Sequence, residues 1–96
     1  MLGHFTIRIY GLVQDVSFRW YARKAAKQFG VVGYVQNAKD GSLIIEVEGV
    51  VEALNQFVAW CRRGPDRARV EQLEVNVGEL QYFKKFEIRY EDRIDS

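Results

Sequence analysis

GLVQDVSFRW, residues 11–20, marks the place where the spacing of apolar residues changes from that of a strand to that of a helix. Before it, Phe5, Ile7 and Ile9 alternate with other residues, as they do in a half-buried strand. After it, apolar residues recur every three or four positions and share one face of a helix: Phe18, Ala22, Ala25, Ala26 and Phe29. The stretch therefore predicts a strand that turns directly into a helix.

The rest of the chain continues this mixture of strand and helix patterns. Residues 32–37 and 43–48 have strand patterns and flank NAKDGS (residues 37–42), in which Asp-Gly indicates a tight hairpin turn. Residues 51–63 have helical spacing and are followed by Gly64 and Pro65, which end a helix. Residues 73–77 and 86–90 alternate again, which predicts two more strands.

The predicted order, β-α-β-β-α-β plus one strand, is that of a ferredoxin-like α+β sandwich. In this fold two helices cover one face of a mostly antiparallel sheet. We expect residues 1–96 to form a single domain, because the chain has no linker or repeat and its length suits one core. The polar residues 91–96 are expected to form a frayed tail.

The composition and charge of the chain argue against several classes of function. The net charge of +1 creates no global field for nucleic acid or an anionic membrane, so neither partner is expected. A single cysteine, Cys61, excludes an intrachain disulfide. No segment has the pattern of a secretory signal or a transmembrane span, and we expect a cytoplasmic monomer.

The strand-to-helix junction is itself a candidate anion site. The first backbone N–H groups of a helix have no partners within it, and the helix dipole adds positive charge there. Arg19 follows in the first helical turn, where its guanidinium can contact two phosphate oxygens at once. The alternative is a capped helix with a solvated arginine, and spacing alone does not decide between the two.

Two sequence motifs in the chain resemble those of a known protein family. GLVQDVSFR resembles the acylphosphatase signature Gly-x-Val-Gln-Gly-Val-x-Phe-Arg, and GYVQNAKDGSLIIEVEG (Gly33 to Gly49) resembles the second family motif, with Leu43 in place of valine. The later stretches GPDRARVEQLEV and FEIRY are also similar to family segments, so the resemblance covers nearly the whole chain.

The resemblance implies hydrolysis of the carboxyl–phosphate bond of small acyl phosphates, without a metal, a cofactor or a covalent intermediate. Arg19 and five loop amides would hold the phosphoryl group, or inorganic phosphate or sulfate as a ligand: those of Gln14, Asp15, Val16, Ser17 and Phe18. Asn37 would orient the attacking water. Without the motif, its position at the start of the 37–42 turn predicts an ordinary turn residue equally well.

Asp15 departs from the signature, which has glycine at that position. A positive φ there would cost aspartate about 1–2 kcal/mol. A carboxylate about 5 Å from a bound phosphate would repel it by about 1 kcal/mol in water and about 3 kcal/mol at an effective dielectric of 20. A slower enzyme, a shifted substrate and a catalytically impaired homologue that binds phosphate or another anion remain alternatives. We expect a functional enzyme, because Gln14, Arg19 and Asn37 are all present.

Three other patterns are interpreted as structural or are set aside. Cys61 and Arg67 have the Cys-x5-Arg spacing of cysteine phosphatases, but Cys61 lies on the apolar stripe near a helix end, so we expect it in the core. RNA-binding modules of one class have the same element order. In this chain, however, glutamates occupy the predicted exposed face of the sheet, where they would repel RNA phosphates. His4, the only histidine, is near an end expected to be mobile and predicts no metal site.

Overall fold

The computed structural model describes residues 1–94, with the side chains of residues 1–90. It contains a five-stranded sheet and two helices, in the predicted order. The elements are β1 (Leu2–Leu12), α1 (Phe18–Phe29), β2 (Val32–Ala38), β3 (Leu43–Val50), α2 (Val51–Arg63), β4 (Arg69–Val77) and β5 (Phe86–Ile94). The ferredoxin-like α+β fold expected from the sequence is confirmed.

The sheet has the strand order β4-β1-β3-β2-β5. β1 is antiparallel to β3 and β4, and β2 is antiparallel to β3. Only the pairing of β5 with β2 is parallel, so within residues 1–94 the sheet is mostly antiparallel, as expected. This order brings the carboxyl end of β1, the β2–β3 turn and the start of β4 to one end of the sheet.

Three strands are longer than the alternation of apolar residues predicts. β1 begins at Leu2, β4 begins at Arg69, and β5 continues to Ile94, which pairs with Ala38. These extensions depend on hydrogen bonds to a neighbouring strand, and such bonds do not require alternating side chains. Residues 91–94, expected in a frayed tail, thus have strand backbone, whereas residues 95–96 lie outside the described residues.

The core lies between the sheet and the two helices. α1 packs on β2 and β5, while α2 packs on β1, β3 and β4. The largest fully buried side chains come from both layers: Phe18, Phe57, Ile7, Ile9, Leu43, Ile45 and Leu54. The chain between β1 and α1 therefore crosses from the half of the sheet covered by α2 to the half covered by α1.

Gly11 is required where the chain leaves the sheet. A bulge in the β1–β4 pairing lies at Tyr10 and Gly11, and Gly11 has φ 128°. A Cβ atom at this position would lie 2.1 Å from the Arg69 carbonyl oxygen. Only glycine therefore lets the backbones of β1 and β4 come this close at the base of the loop that follows.

His4 lies in the sheet between two glutamates rather than at a mobile end, and its side chain is 2% exposed. Its Nδ1 is 2.6 Å from Glu48 Oε2, and its Nε2 is 2.5 Å from Glu46 Oε1. Glu48 also accepts hydrogen bonds from the backbone N–H groups of Gln81 and Phe83. The cluster thus fastens the segment between β4 and β5 to the sheet. The sequence missed it because the two strands that carry it meet only in the fold.

The titration of this cluster follows from its contacts. Burial alone would lower the pKa of His4, but the hydrogen bonds and charges of Glu48 and Glu46 outweigh it and raise that pKa above 6.5. Burial would raise the pKa of Glu48, but hydrogen bonds from Gln81, His4 and Phe83 outweigh it and lower that pKa below 4.5. At pH values between the lowered pKa of Glu48 and the raised pKa of His4, the stable state therefore pairs a protonated His4 with an ionised Glu48.

Replacing His4 by alanine is expected to lower the free energy of unfolding by about 3 kcal/mol near pH 6, because the buried Glu48 and the partly buried Glu46 lose their cation. The contribution of His4 is fully present below its unfolded pKa and is lost as the pH rises through its higher folded pKa. The contribution of Glu48 is present above its unfolded pKa and is lost as the pH falls through its lower folded pKa. Urea unfolding of both proteins from pH 3 to pH 9 measures the difference.

The matched control is Glu79→Gln in the same segment, whose side chain is exposed and should leave stability unchanged. A difference between the native protein and His4→Ala that stays constant across this pH range would contradict the assignment of the charges.

Candidate active site

The loop between β1 and α1 has an unusual backbone. Asp15 and Ser17 have φ values of 62° and 61°, in the left-handed region, and Val16 lies between them. Val13 and Val16 are buried and anchor the loop in the core. Left-handed residues next to other conformations turn successive N–H groups into a concave surface that binds anions. The strain at two non-glycine residues is held by the packing beneath them.

The N–H groups of this loop are available to a ligand. α1 begins at Phe18, has no side-chain cap and has no acidic residue in its first turn. Tyr21 makes the first helical hydrogen bond, from its N–H to the Ser17 carbonyl. The backbone N–H groups of residues 14–18 donate no hydrogen bond to any described residue. They form a cluster of unpaired donors at the positive end of the helix dipole.

Arg19 is held over this loop by β5. Its Nη1 donates to the Arg89 carbonyl oxygen at 3.3 Å, and its guanidinium carbon lies 5.0 Å from the centre of the Tyr90 ring. These contacts leave most of its N–H donors available for an anion. The sequence did not identify Tyr90 or the Arg89 carbonyl, because the parallel pairing of β5 with β2 brings them here.

Asn37 lies near the end of β2 and is 7% exposed. Its Oδ1 is buried and has no hydrogen-bond partner. Every other buried side-chain nitrogen or oxygen in the described part of the chain has one. Leaving a buried acceptor unpaired costs about 1–3 kcal/mol. An acceptor kept at this cost next to a pocket indicates a site for a ligand or a water.

One pocket of about 390 Å³ joins these features. We name it the phosphate pocket after the ligand that the sequence predicts for this loop. Most residues expected at the site line it: Gln14, Asp15, Ser17, Phe18, Arg19 and Asn37. Val13, Trp20 and Tyr90 complete the wall. Val16, of which only the backbone amide was expected at the site, has its side chain buried beneath the loop, where it lines a neighbouring cavity. The structure thus brings Arg19 and Asn37 together, although 18 positions separate them in the sequence.

The Gln14 side chain links the loop to the turn that carries Asn37. Its Nε2 donates to the carbonyl oxygens of Ala38 and Ser42, at 2.8 and 2.9 Å. The turn is tightened by Asp40 Oδ1, which accepts from the N–H and the hydroxyl of Ser42. From the sequence, Gln14 was expected to contribute only its backbone amide. The hydrogen bonds of its side chain could not be predicted from the sequence, because their acceptors are two backbone carbonyls of a distant turn.

The Asp15 carboxylate is exposed and lines the phosphate pocket. It makes no hydrogen bond or ion pair with any residue that the structure describes, so it does not occupy the loop amides. The positive φ at Asp15 explains why glycine suits this position.

Cys61 is not part of this site. Its side chain is fully buried on α2, as expected from the apolar stripe, and burial raises the pKa of the thiol far above its usual value. A buried, protonated thiol is a poor nucleophile. Among the side chains that the structure describes, those of residues 1–90, no group of three or more His, Cys, Asp and Glu has an arrangement that could hold a metal ion. Neither of the two described helices is long and apolar enough to cross a membrane.

The chain is similar to known proteins over most of its length. The family model described as acylphosphatase matches residues 5–88. An acylphosphatase of a Nocardioides species is 43% identical over 83 residues, which cover 86% of this chain and 84% of that protein. An acylphosphatase of Thermotoga maritima is 40% identical over 84 residues, which cover 88% of this chain and 93% of that protein. The crystal structure of acylphosphatase from Bacillus subtilis superposes with a TM-score of 0.89 at 32% identity, covering 94% of this chain and 100% of that one.

Proposed function

Because the chain belongs to the acylphosphatase family, a family of acyl phosphate hydrolases, we propose that it cleaves small acyl phosphates to a carboxylate and inorganic phosphate by direct attack of water. In this proposal Arg19 and the amides of residues 14–18 hold the phosphoryl group, and Asn37 orients the water. The observation that carries it is that Asn37, whose Oδ1 has no hydrogen-bond partner among the described residues, lines the same pocket as Arg19 and the loop.

Binding of the phosphoryl group follows from the donors in the phosphate pocket. The guanidinium can offer two parallel N–H groups to two phosphoryl oxygens, and charge-assisted hydrogen bonds of this kind are about twice as strong as neutral ones. Arg89 and Tyr90 keep the guanidinium in place before substrate arrives. The loop amides supply further donors without a change in protonation. Donors that are ordered in advance stabilise the charge of the transition state at no reorganisation cost.

The attacking water is oriented by an acceptor rather than activated by a base. Asn37 Oδ1 accepts one water hydrogen, which turns a lone pair of the water oxygen towards phosphorus. The water oxygen forms a bond to phosphorus while the bond to the acyl oxygen breaks, and the excess proton leaves with the phosphate product. A carboxylate is a good leaving group, so positioning and charge stabilisation are sufficient.

Turnover of benzoyl phosphate, followed by ultraviolet absorbance, tests this function. We expect hydrolysis, competitive inhibition by inorganic phosphate, and incorporation of oxygen from labelled water into phosphate alone. Label in benzoate would show attack at the acyl carbon and would contradict the proposed role of Asn37.

A phosphate-binding module without turnover is the second candidate, and the exposed Asp15 carboxylate in the phosphate pocket favours it. A carboxylate at this place opposes an anionic substrate. Under this alternative, phosphate raises the melting temperature by mass action while benzoyl phosphate stays intact.

Asp15→Gly is expected to raise kcat/KM for benzoyl phosphate about tenfold, because it removes both a like charge and a strained left-handed residue. Asp15→Asn is the matched control, since it removes the charge but keeps a side chain. A gain shared by both variants assigns the effect to charge, whereas a gain limited to glycine assigns it to the backbone. Activity in Asp15→Gly with none in the native protein would overturn the proposed function.

Gln14→Met is expected to lower kcat about tenfold to a hundredfold, while the inhibition constant of phosphate changes less than threefold. Methionine has a similar shape but donates no hydrogen bond, so the loop loses its link to the turn that carries Asn37, and small misplacements of reacting groups cost about this much. Gln28→Met, at an exposed position of α1, is the control. If kcat and phosphate affinity fall together, Gln14 supports the loop itself rather than the placement of Asn37.

A further inference from the structure

A second cavity, of about 420 Å³, lies against the same loop. Its walls come from the start of α1, the end of α2 and the segment between α2 and β4, and include Ser17, Tyr21, Trp60, Arg63, Asp66 and Arg67. Ser17 also lines the phosphate pocket, so the two cavities meet at this residue. Cavities of this volume are large enough for a small organic group.

The two cavities lie on opposite flanks of the loop. The phosphate pocket is on the side of α1, β2 and β5, and it contains Asn37. The second cavity is on the side of α2, and neither Asn37 nor Arg19 lines it. Asn37 and Arg19 thus line only the phosphate pocket, whereas Ser17 lines both cavities.

Phosphoryl transfer places the attacking and leaving oxygens roughly in line, on opposite sides of phosphorus. If water approaches from Asn37, the acyl oxygen departs on the far side of the phosphoryl group, towards Ser17. The acyl group attached to that oxygen then extends towards the second cavity. This step depends on the proposed function, because it uses the position of the water.

The walls of the second cavity indicate which acyl group it suits. Trp60 packs edge-on against Phe18 and stacks on Phe57, with ring centres 5.6 and 6.1 Å apart, so this wall is ordered in advance. Arg63 and Arg67 are exposed and form no ion pair or hydrogen bond within the described residues, whereas Asp66 supplies a single opposing charge. The cavity thus combines an aromatic wall with a net positive charge.

The geometry points to the second cavity as the subsite for the acyl group, in which Arg63 and Arg67 favour acyl phosphates whose acyl group carries a second negative charge. A terminal carboxylate on a short chain places that charge beyond Ser17, within reach of long arginine side chains. Each exposed contact of this kind contributes at most about a fivefold preference, so both together should give about a tenfold preference.

Succinyl phosphate and butyryl phosphate test this inference, because both have four carbons and differ in the terminal carboxylate. We expect the native protein to prefer succinyl phosphate in kcat/KM, and Arg63→Ala/Arg67→Ala to reduce the ratio of the two values about tenfold. The value for butyryl phosphate should change less than twofold. Added salt should also reduce the ratio in the native protein, since exposed charges are screened.

Arg62→Ala is the matched control, because Arg62 is exposed on the same helical turn but does not line the second cavity. An unchanged ratio in the double variant, or an equal loss on both substrates, would overturn this inference and leave the proposed function standing. No turnover of either substrate by the native protein would overturn the proposed function as well.

Discussion

Arg19→Ala is expected to lower kcat/KM for benzoyl phosphate at least a thousandfold. Arg19 lines the phosphate pocket. In the proposed mechanism its guanidinium binds the phosphoryl oxygens, on which charge develops in the transition state. Removing one preorganised donor from such a site costs about a hundredfold to a thousandfold. An arginine that stabilises phosphoryl transfer contributes about a thousandfold or more. Steady-state hydrolysis measures the loss.

The fold should survive this change. Arg19 is partly exposed, and its described contacts are one long hydrogen bond and one ring contact. We therefore expect a shift in melting temperature of only a few degrees. Arg23→Ala, one turn further along α1 and exposed, is the control and should keep full activity. Arg19→Lys separates charge from geometry, because lysine keeps the charge but lacks the planar pair of donors.

If Arg19→Ala keeps more than a tenth of the native activity, the guanidinium does not bind the reacting group. If phosphate still protects this variant against heat as well as it protects the native protein, the loop amides alone hold the anion. Either result would remove Arg19 from the proposed mechanism.

Asn37→Ala is expected to lower kcat about a hundredfold to a thousandfold while leaving the inhibition constant of phosphate nearly unchanged. Asn37 Oδ1 is the buried acceptor without a partner in the described structure, so it is free to take a water hydrogen. Losing the acceptor leaves water in the pocket without a fixed orientation, and this affects the chemical step more than the binding of phosphate.

The stability of Asn37→Ala should not fall along with its activity. The variant removes a buried polar atom that has no partner in the described structure, an arrangement that costs about 1–3 kcal/mol, so we expect no loss in the free energy of unfolding. Asn76→Ala, at an exposed position of β4, is the control for the chemical change itself. A variant that is both inactive and unstable would indicate that Asn37 serves the turn rather than the water.

The order of elements and the two ends of the phosphate pocket could be predicted from the sequence. Strand alternation at Phe5, Ile7 and Ile9 and helical spacing after Phe18 are local properties, since each depends on neighbours a few positions away. Arg19 and Asn37 were identified from the sequence of two motifs, and both lie close to the end of an element, Arg19 in the first turn of α1 and Asn37 next to the last residue of β2.

Other features were decided only when distant segments met. The Gln14 side chain finds its acceptors in the β2–β3 turn, and Arg19 is oriented by Arg89 and Tyr90 of β5. His4 becomes a buried cation because β3 brings two glutamates beside it. These contacts depend on strand order and register, which no short stretch of sequence contains, because they result from packing the whole sheet against its helices.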